Sequence, residues 1–139
     1  MRALLLCACS AAIAAAQPPR NPIVRVVTVS QEYLDRANRD RLFDETMDRL
    51  DRAAAFRPDI AALPEVFLPG EPETVPGPVT RRLAAWAERH SSYVLFGLRT
   101  IANGQMRNSA ILLDRRGQLV GQYHKAYPTE KELQDGVLP

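Results

Sequence analysis

Cysteine is nearly absent from this 139-residue chain, and the two present, Cys7 and Cys9, both stand within the first ten residues. The remainder of the chain can therefore form neither a disulfide nor a thiolate metal site. Histidine is as rare. His90 and His124 show no metal-ligand spacing such as HxxxH and read as structural or surface residues. Lysine is scarce too: of 18 basic residues, 16 are arginine, leaving only Lys125 and Lys131. Neither sign of charge dominates, since the formal net charge is +2. No basic stripe with interleaved aromatics is present, so nucleic acid is not an expected partner. The longest apolar run, residues 3–16, is shorter than the roughly 20 residues a membrane-spanning helix needs, so no stable membrane span is expected. There is no internal repeat and no low-complexity tract.

That apolar run has a recognisable layout. Met1-Arg2 gives a minimal positive start, Ser10 is the one polar residue within the run, and Ala14-Ala15-Ala16 precede Gln17. This is the pattern of an export signal with a small-residue cleavage site. The expected division is a signal peptide over 1–16, a polar, proline-bearing lead over 17–22 and a domain over 23–139. The expected location is secreted or periplasmic. A weaker variant reads Leu6-Cys7-Ala8-Cys9 as a lipobox with Cys9 lipidated. Cleavage after Ala16 would remove both cysteines and Arg2, leaving a net charge of about +1.

Hydrophobic residues make up 46% and charged residues 24%, a globular composition with enough length for one core. Residues 23–29 (IVRVVTV) are β-branched and nearly all apolar, which predicts a buried strand. Residues 38–57 predict a helix with Phe43, Met47, Leu50 and Ala54 on its inner face and Pro58 as its stop. Residues 59–63 predict a second strand. Thr80 is placed to cap a helix running to His90, with Leu83, Trp86 and Ala87 inward. Further strands are expected over 93–98, 106–113 and 118–124. The last two form a hairpin in which Gly117 takes positive φ. Strands alternating with helices predict an α/β layer fold. With five strands and no closing helix, the last pair would leave an open sheet edge, so the chain reads as part of a domain.

Three positions carry candidate chemistry. Glu65 follows a strand and opens a proline-rich loop, and strand C-terminal ends are where open α/β sheets hold ligands. Lys125 ends the last strand. In a chain that otherwise prefers arginine, this compact ammonium reads as selected for its chemistry. Glu132 lies seven residues further on, among turn residues.

These residues sit in motifs that resemble the nitrilase superfamily of carbon–nitrogen hydrolases. Asp59-Ile60-Ala61-Ala62-Leu63-Pro64-Glu65 resembles its strand-Pro-Glu element. Tyr123-His124-Lys125-Ala126-Tyr127-Pro128-Thr129, followed by Glu132 and Gly136-Val137-Leu138-Pro139, resembles its lysine element. The stretch from Asn108-Ser109-Ala110 through Gly117 to Tyr123 fits the family's hairpin. The resemblance implies a nitrilase-like α-β-β-α sandwich, here incomplete and roughly its N-terminal half. It also implies a Glu-Lys-Cys triad. Glu65 would be the general base, Lys125 the oxyanion stabiliser and Glu132 the second carboxylate, with Glu130 as the alternative for that last role. Phe67 and Tyr127 flank these residues and either line the substrate pocket or pack. The nucleophilic cysteine is expected beyond residue 139, so the chain alone is expected to be inactive. The implied substrate is a small-molecule amide, carbamoyl compound or nitrile, with no cofactor and no metal, and the implied assembly is a homodimer. The rival expectation is a secreted, non-catalytic binding domain on the same scaffold.

Overall fold

The computed structural model describes residues 23–139. The expected signal peptide and lead, including Cys7 and Cys9, lie outside the described residues. Five strands form one sheet whose spatial order follows the chain: β1 (Val26–Thr28), β2 (Ile60–Ala62), β3 (Tyr93–Ala102), β4 (Gln105–Leu113) and β5 (Leu119–His124). β1, β2 and β3 run parallel, and β3, β4 and β5 run antiparallel. The parallel connections carry the helices α1 (Arg39–Ala54) and α2 (Pro78–His90), as parallel strands require crossovers. A short helix, α3 (Glu130–Gln134), follows β5.

α1 begins where the Asn38 side chain accepts a 2.9 Å hydrogen bond from the Arg41 backbone N–H. Its buried face is Leu42, Thr46, Met47, Leu50 and Ala53, with Phe43 and Ala54 packed at the rim. This stripe is rotated slightly from the expected Phe43–Ala54 row. The helix also ends at Ala54 rather than Arg57. Arg57 has φ +49°, and the residue before a proline is disfavoured in the α region, so the chain turns before Pro58.

α2 starts two residues before the expected Thr80 cap. Pro78 occupies the first turn, where a missing N–H costs nothing, and Gly77 at the cap position has no side chain to offer. The Glu73 carboxylate caps the helix instead. It accepts from the Val79 N–H at 3.2 Å, the Thr80 N–H at 3.1 Å and the Thr80 hydroxyl at 3.0 Å. An anion at a helix N-terminus is favoured by the dipole as well as by these bonds. Glu73→Ala should therefore destabilise the fold by about 1 kcal/mol, read as a lowered denaturant midpoint with unchanged slope.

Both helices cover one face of the sheet. Val94, Phe96 and Leu98 of β3 and Ile111 and Leu113 of β4 are buried there against Leu42, Leu50, Leu83 and Trp86. The Trp86 indole N–H donates to Asp51 at 2.9 Å, tying α2 to α1. Phe67 is fully buried in the same core, edge-on between Phe43 and Phe96 at centroid distances of 6.0 and 6.1 Å. Its ring packs in the core and is not exposed. The opposite face carries Val26, Leu95 and Tyr123, all exposed.

The β3–β4 hairpin is longer than expected because Asn103-Gly104 turns the chain tightly, with φ of +52° and +74°. Both central residues in the left-handed region match the right-handed twist of the flanking strands. The β4–β5 hairpin has the expected form. Gly117 has φ +71°, and the Asp114 carboxylate accepts from the N–H groups of Arg116 and Gln118 at 2.8 and 2.9 Å.

Candidate functional site

The site lies on the open face, where β2 and β5 end next to the middle of the β3–β4 hairpin. After β2 the chain continues to bond to β3. Gly97 donates to the Pro64 carbonyl at 3.3 Å, and Phe67 donates to the Gly97 carbonyl at 3.1 Å. Between these bonds Glu65 and Val66 arch over Gly97. A Cβ added at Gly97 would lie 2.7 Å from the Val66 nitrogen and 2.9 Å from the Glu65 Cα, so only glycine admits this crossing. Val66 takes φ +42°, a strained value for a β-branched residue. Its carbonyl accepts from the Arg36 guanidinium at 3.3 Å.

Lys125 is the first residue after β5, and its N–H donates to the Asn108 carbonyl at 2.8 Å, prolonging the ladder. Glu132 is set by a capping box. The Thr129 N–H donates to Glu132 Oε2 at 2.7 Å, and the Glu132 N–H donates to Thr129 Oγ1 at 3.3 Å. α3 is held to the sheet by Leu138 donating to the Met106 carbonyl at 2.9 Å and by an Arg99–Asp135 ion pair at 3.2 Å.

These elements bring Glu65, Lys125 and Glu132 into one cluster. Lys125 Nζ donates to Glu65 Oε1 at 3.0 Å and to Glu132 Oε2 at 2.9 Å. Glu132, not Glu130, is the second carboxylate to meet the lysine. The cluster grades from open to shielded, with side-chain exposures of 66% for Glu65, 30% for Lys125 and 13% for Glu132. It borders an open cavity of about 340 Å³ whose other walls include Leu63, Leu95, Ala110 and Tyr123. Tyr127 is 89% exposed and is not among the lining residues.

Asn108, which the sequence offers only as the first residue of the Asn108-Ser109-Ala110 hairpin motif, joins the cluster as well. Its Nδ2 donates to Glu65 Oε1 and to Glu132 Oε1, each at 2.7 Å. The available signal was an amide inside an apolar strand, since a buried polar group needs partners. On the helix-covered side, Thr100, Ser109 and His124 form a separate hydroxyl–hydroxyl–imidazole chain at 2.6 and 2.8 Å.

The cluster is built for ionised carboxylates. Bonds from Lys125 and then Asn108 hold the Glu65 carboxyl below its usual range. Bonds to Glu132 and then Glu65 raise Lys125, which stays an ammonium. Glu132 is lowered most, from 4.5 to about 2, first by the Thr129 backbone N–H and also by Lys125 and Asn108. Its folded value lies below its unfolded one, so its charge stabilises the fold fully above pH 4.5, and that contribution is lost as pH falls through about 2. Denaturant midpoints should therefore fall across this window, and Glu132→Gln should flatten that part of the profile.

Comparison with known proteins agrees with this architecture. The model of the family described as carbon-nitrogen hydrolase matches residues 12–136. A crystal structure of an N-terminal amidase superposes with a TM-score of 0.73 at 19% identity, covering 82% of this chain and 30% of that one. An N-terminal amidase with a Gln-Val peptide superposes with a TM-score of 0.71 at 18% identity, covering 82% and 30%. An amidase from Nesterenkonia sp. gives 0.66 at 18% identity, covering 84% and 48%. The chain thus spans about 30% of the length of the N-terminal amidases and 48% of that of the Nesterenkonia amidase. No curated protein sequence matches it. The sheet and its helices are part of the nitrilase-superfamily fold, and the chain belongs to the carbon-nitrogen hydrolase family.

Proposed function

We propose that the whole protein hydrolyses a non-peptide C–N bond of a small amide, carbamoyl compound or nitrile. In this reading a cysteine nucleophile comes from sequence beyond residue 139. The observation that carries the reading is one ammonium held between two ionised carboxylates on the wall of an open, largely apolar cavity. Glu65 takes the thiol proton, and the thiolate attacks the electrophilic carbon. For an amide or carbamoyl group this gives a tetrahedral oxyanion; for a nitrile it gives a thioimidate, to whose carbon one water adds to reach the same tetrahedral stage. Lys125 donates to that oxygen as its charge develops, and Glu132 holds the ammonium in position. The C–N bond breaks, the proton leaves with ammonia or the amine, and a thioester remains. Water, deprotonated by Glu65, releases the acid and restores the thiol.

The test compares residues 17–139 with the product of the complete reading frame. Ammonia release from a panel of small amides and nitriles should occur only with the longer protein and should vanish when its downstream cysteine is changed. Turnover by residues 17–139 that is lost in Lys125→Ala would overturn the choice of nucleophile. A longer protein that is folded but inactive on every substrate would favour a binding domain on this scaffold.

We further propose that the protein is exported with cleavage after Ala16. Residues 14–16 and the apolar run before them support this. Among the described residues no helix is long and apolar enough to cross a membrane. Mass spectrometry of the exported protein should find Gln17 at its N-terminus. An intact Met1 on material retained in the cytoplasm would overturn it.

A further inference from the structure

Asn108 sits in β4 beside Ser109, only 4% exposed, yet its carboxamide nitrogen faces outward from the sheet onto the site. A carboxamide nitrogen carries two protons, and here each goes to a different carboxylate: Glu65 Oε1 at 2.7 Å and Glu132 Oε1 at 2.7 Å. Glu65 is delivered by the loop after β2 and Glu132 by α3, two elements that reach the site independently. Lys125 joins the same two carboxylates as a second bridge, at 3.0 and 2.9 Å. The ammonium is a flexible, rotatable donor on a long stem, whereas the amide is planar and anchored in a sheet strand.

Resting on the catalytic reading above, we propose that Asn108 is the positioning residue of this site, a rigid amide fork that sets the spacing of Glu65 and Glu132. The fork has a chemical consequence as well as a geometric one. An N–H donor bonds more strongly to an ionised carboxylate than to a neutral carboxyl, so the fork favours the ionised form of both carboxylates. On Glu65 both Asn108 and Lys125 bond to Oε1. Among the described residues no donor bonds to Oε2, which leaves that oxygen free to accept a proton. The charged and titratable groups facing Asn108 are Glu65 from the loop, Glu132 from α3 and Lys125 after β5. Tyr123 of β5 lines the same cavity. Arg99 stands opposite Asn108 on β3, paired to Asp135 at the end of α3. His124 is engaged by Ser109 on the other side.

The test uses Asn108→Asp, Asn108→Leu and Asn108→Ser in the product of the complete reading frame, with Lys125→Ala beside them. Asp and Leu keep the shape of the side chain. Asp replaces the donors by a third carboxylate, and Leu removes both. Ser keeps a single donor. The expected result is a loss of roughly 10²-fold in kcat for Asp and Leu, a smaller loss for Ser, and a KM changed only several-fold. The acidic limb of kcat/KM against pH should move up by about one unit or more in Asp, since a like charge opposes ionisation of Glu65. The neutral Leu variant discriminates: loss of the two N–H donors should move its limb up as well, whereas a residue that merely filled space would leave the limb of Leu in place.

Should the Asp and Leu variants fail to fold, the unaltered protein supplies the reading through the two side-chain amide protons of Asn108 in NMR. They should exchange slowly and shift together with the carboxyl carbon of Glu65 on titration. Free exchange with no such coupling would overturn the proposal. So would folded Asp and Leu variants with wild-type kcat and an unmoved acidic limb, provided Lys125→Ala is inactive. Full activity in Lys125→Ala would instead overturn the catalytic reading itself, and the fork with it.

Discussion

In the product of the complete reading frame, Lys125→Ala should lower kcat by at least about 10²–10³-fold while KM changes little, because one preorganised donor to a developing oxyanion contributes that much. The structure gives a second reason for a large effect. Lys125 Nζ lies 3.0 Å from Glu65 and 2.9 Å from Glu132. Without the ammonium, two carboxylates share a small site with only the Asn108 amide between them. Their repulsion would favour protonation of Glu65, the wrong state for a base. Lys125→Arg should not rescue activity, although arginine is the usual cation of this chain, because a planar guanidinium cannot place rotatable donors in the same space. Lys131 is the internal control. It pairs with Asp135 at 3.5 Å and its side chain is 82% exposed, so Lys131→Ala should retain activity. Steady-state ammonia release across these variants is the measurement. Unchanged kcat in folded Lys125→Ala would remove the oxyanion role.

Gly97→Ala is the second large expectation, and it follows from backbone rather than charge. The added methyl would stand 2.7 Å from the Val66 nitrogen and 2.9 Å from the Glu65 Cα. Backbone atoms of a loop bonded on both sides of the crossing cannot rotate out of the way as a side-chain tip can. Either β3 bends or the Glu65 arch lifts. Overpacking of this kind costs about 1–3 kcal/mol, a fall in Tm on the order of 5–15 °C. The lifted arch would carry Glu65 away from Asn108 and Lys125, and a displacement of about 1 Å at reacting groups can cost roughly 10²-fold in rate. Gly121→Ala is the matched control on the same sheet. The nearest atom to its new Cβ is Leu112 Cβ at 3.6 Å, an ordinary contact, so Tm should be nearly unchanged. Thermal denaturation of both variants, with activity in the longer protein, checks the pair. Equal Tm values for Gly97→Ala and the wild type would mean that the crossing is loose.

What was legible in the chain was whatever depends on near neighbours. The β-branched run at 23–29 marks β1, although the paired strand is the shorter Val26–Thr28 and is exposed on either side of a half-buried Val27 rather than buried. Pro58 and the turn at Gly117 act within a few residues of themselves, so local chemistry suffices to place them. Two further local signals stand in the sequence. Asn103-Gly104 is a strong hairpin dipeptide, and Thr129 with Glu132 has the spacing of a capping box, which makes α3 a helix rather than a turn.

By itself the sequence determined the alternation of strands and helices, the Pro64-Glu65 and Lys125 motifs and the place of each at the end of a strand. Only the tertiary structure decided the functions of side chains whose partners come from other elements. Glu73, not Thr80, caps α2, because the loop carrying it returns to pair with β3. Phe67 enters the core although it stands two residues from Glu65, because the Val66 turn sends the two side chains to different destinations. Asn108 meets Glu65 across 43 positions and Glu132 across 24. Such contacts depend on strand register and on a glycine thin enough to cross, and no periodicity in a single segment encodes either.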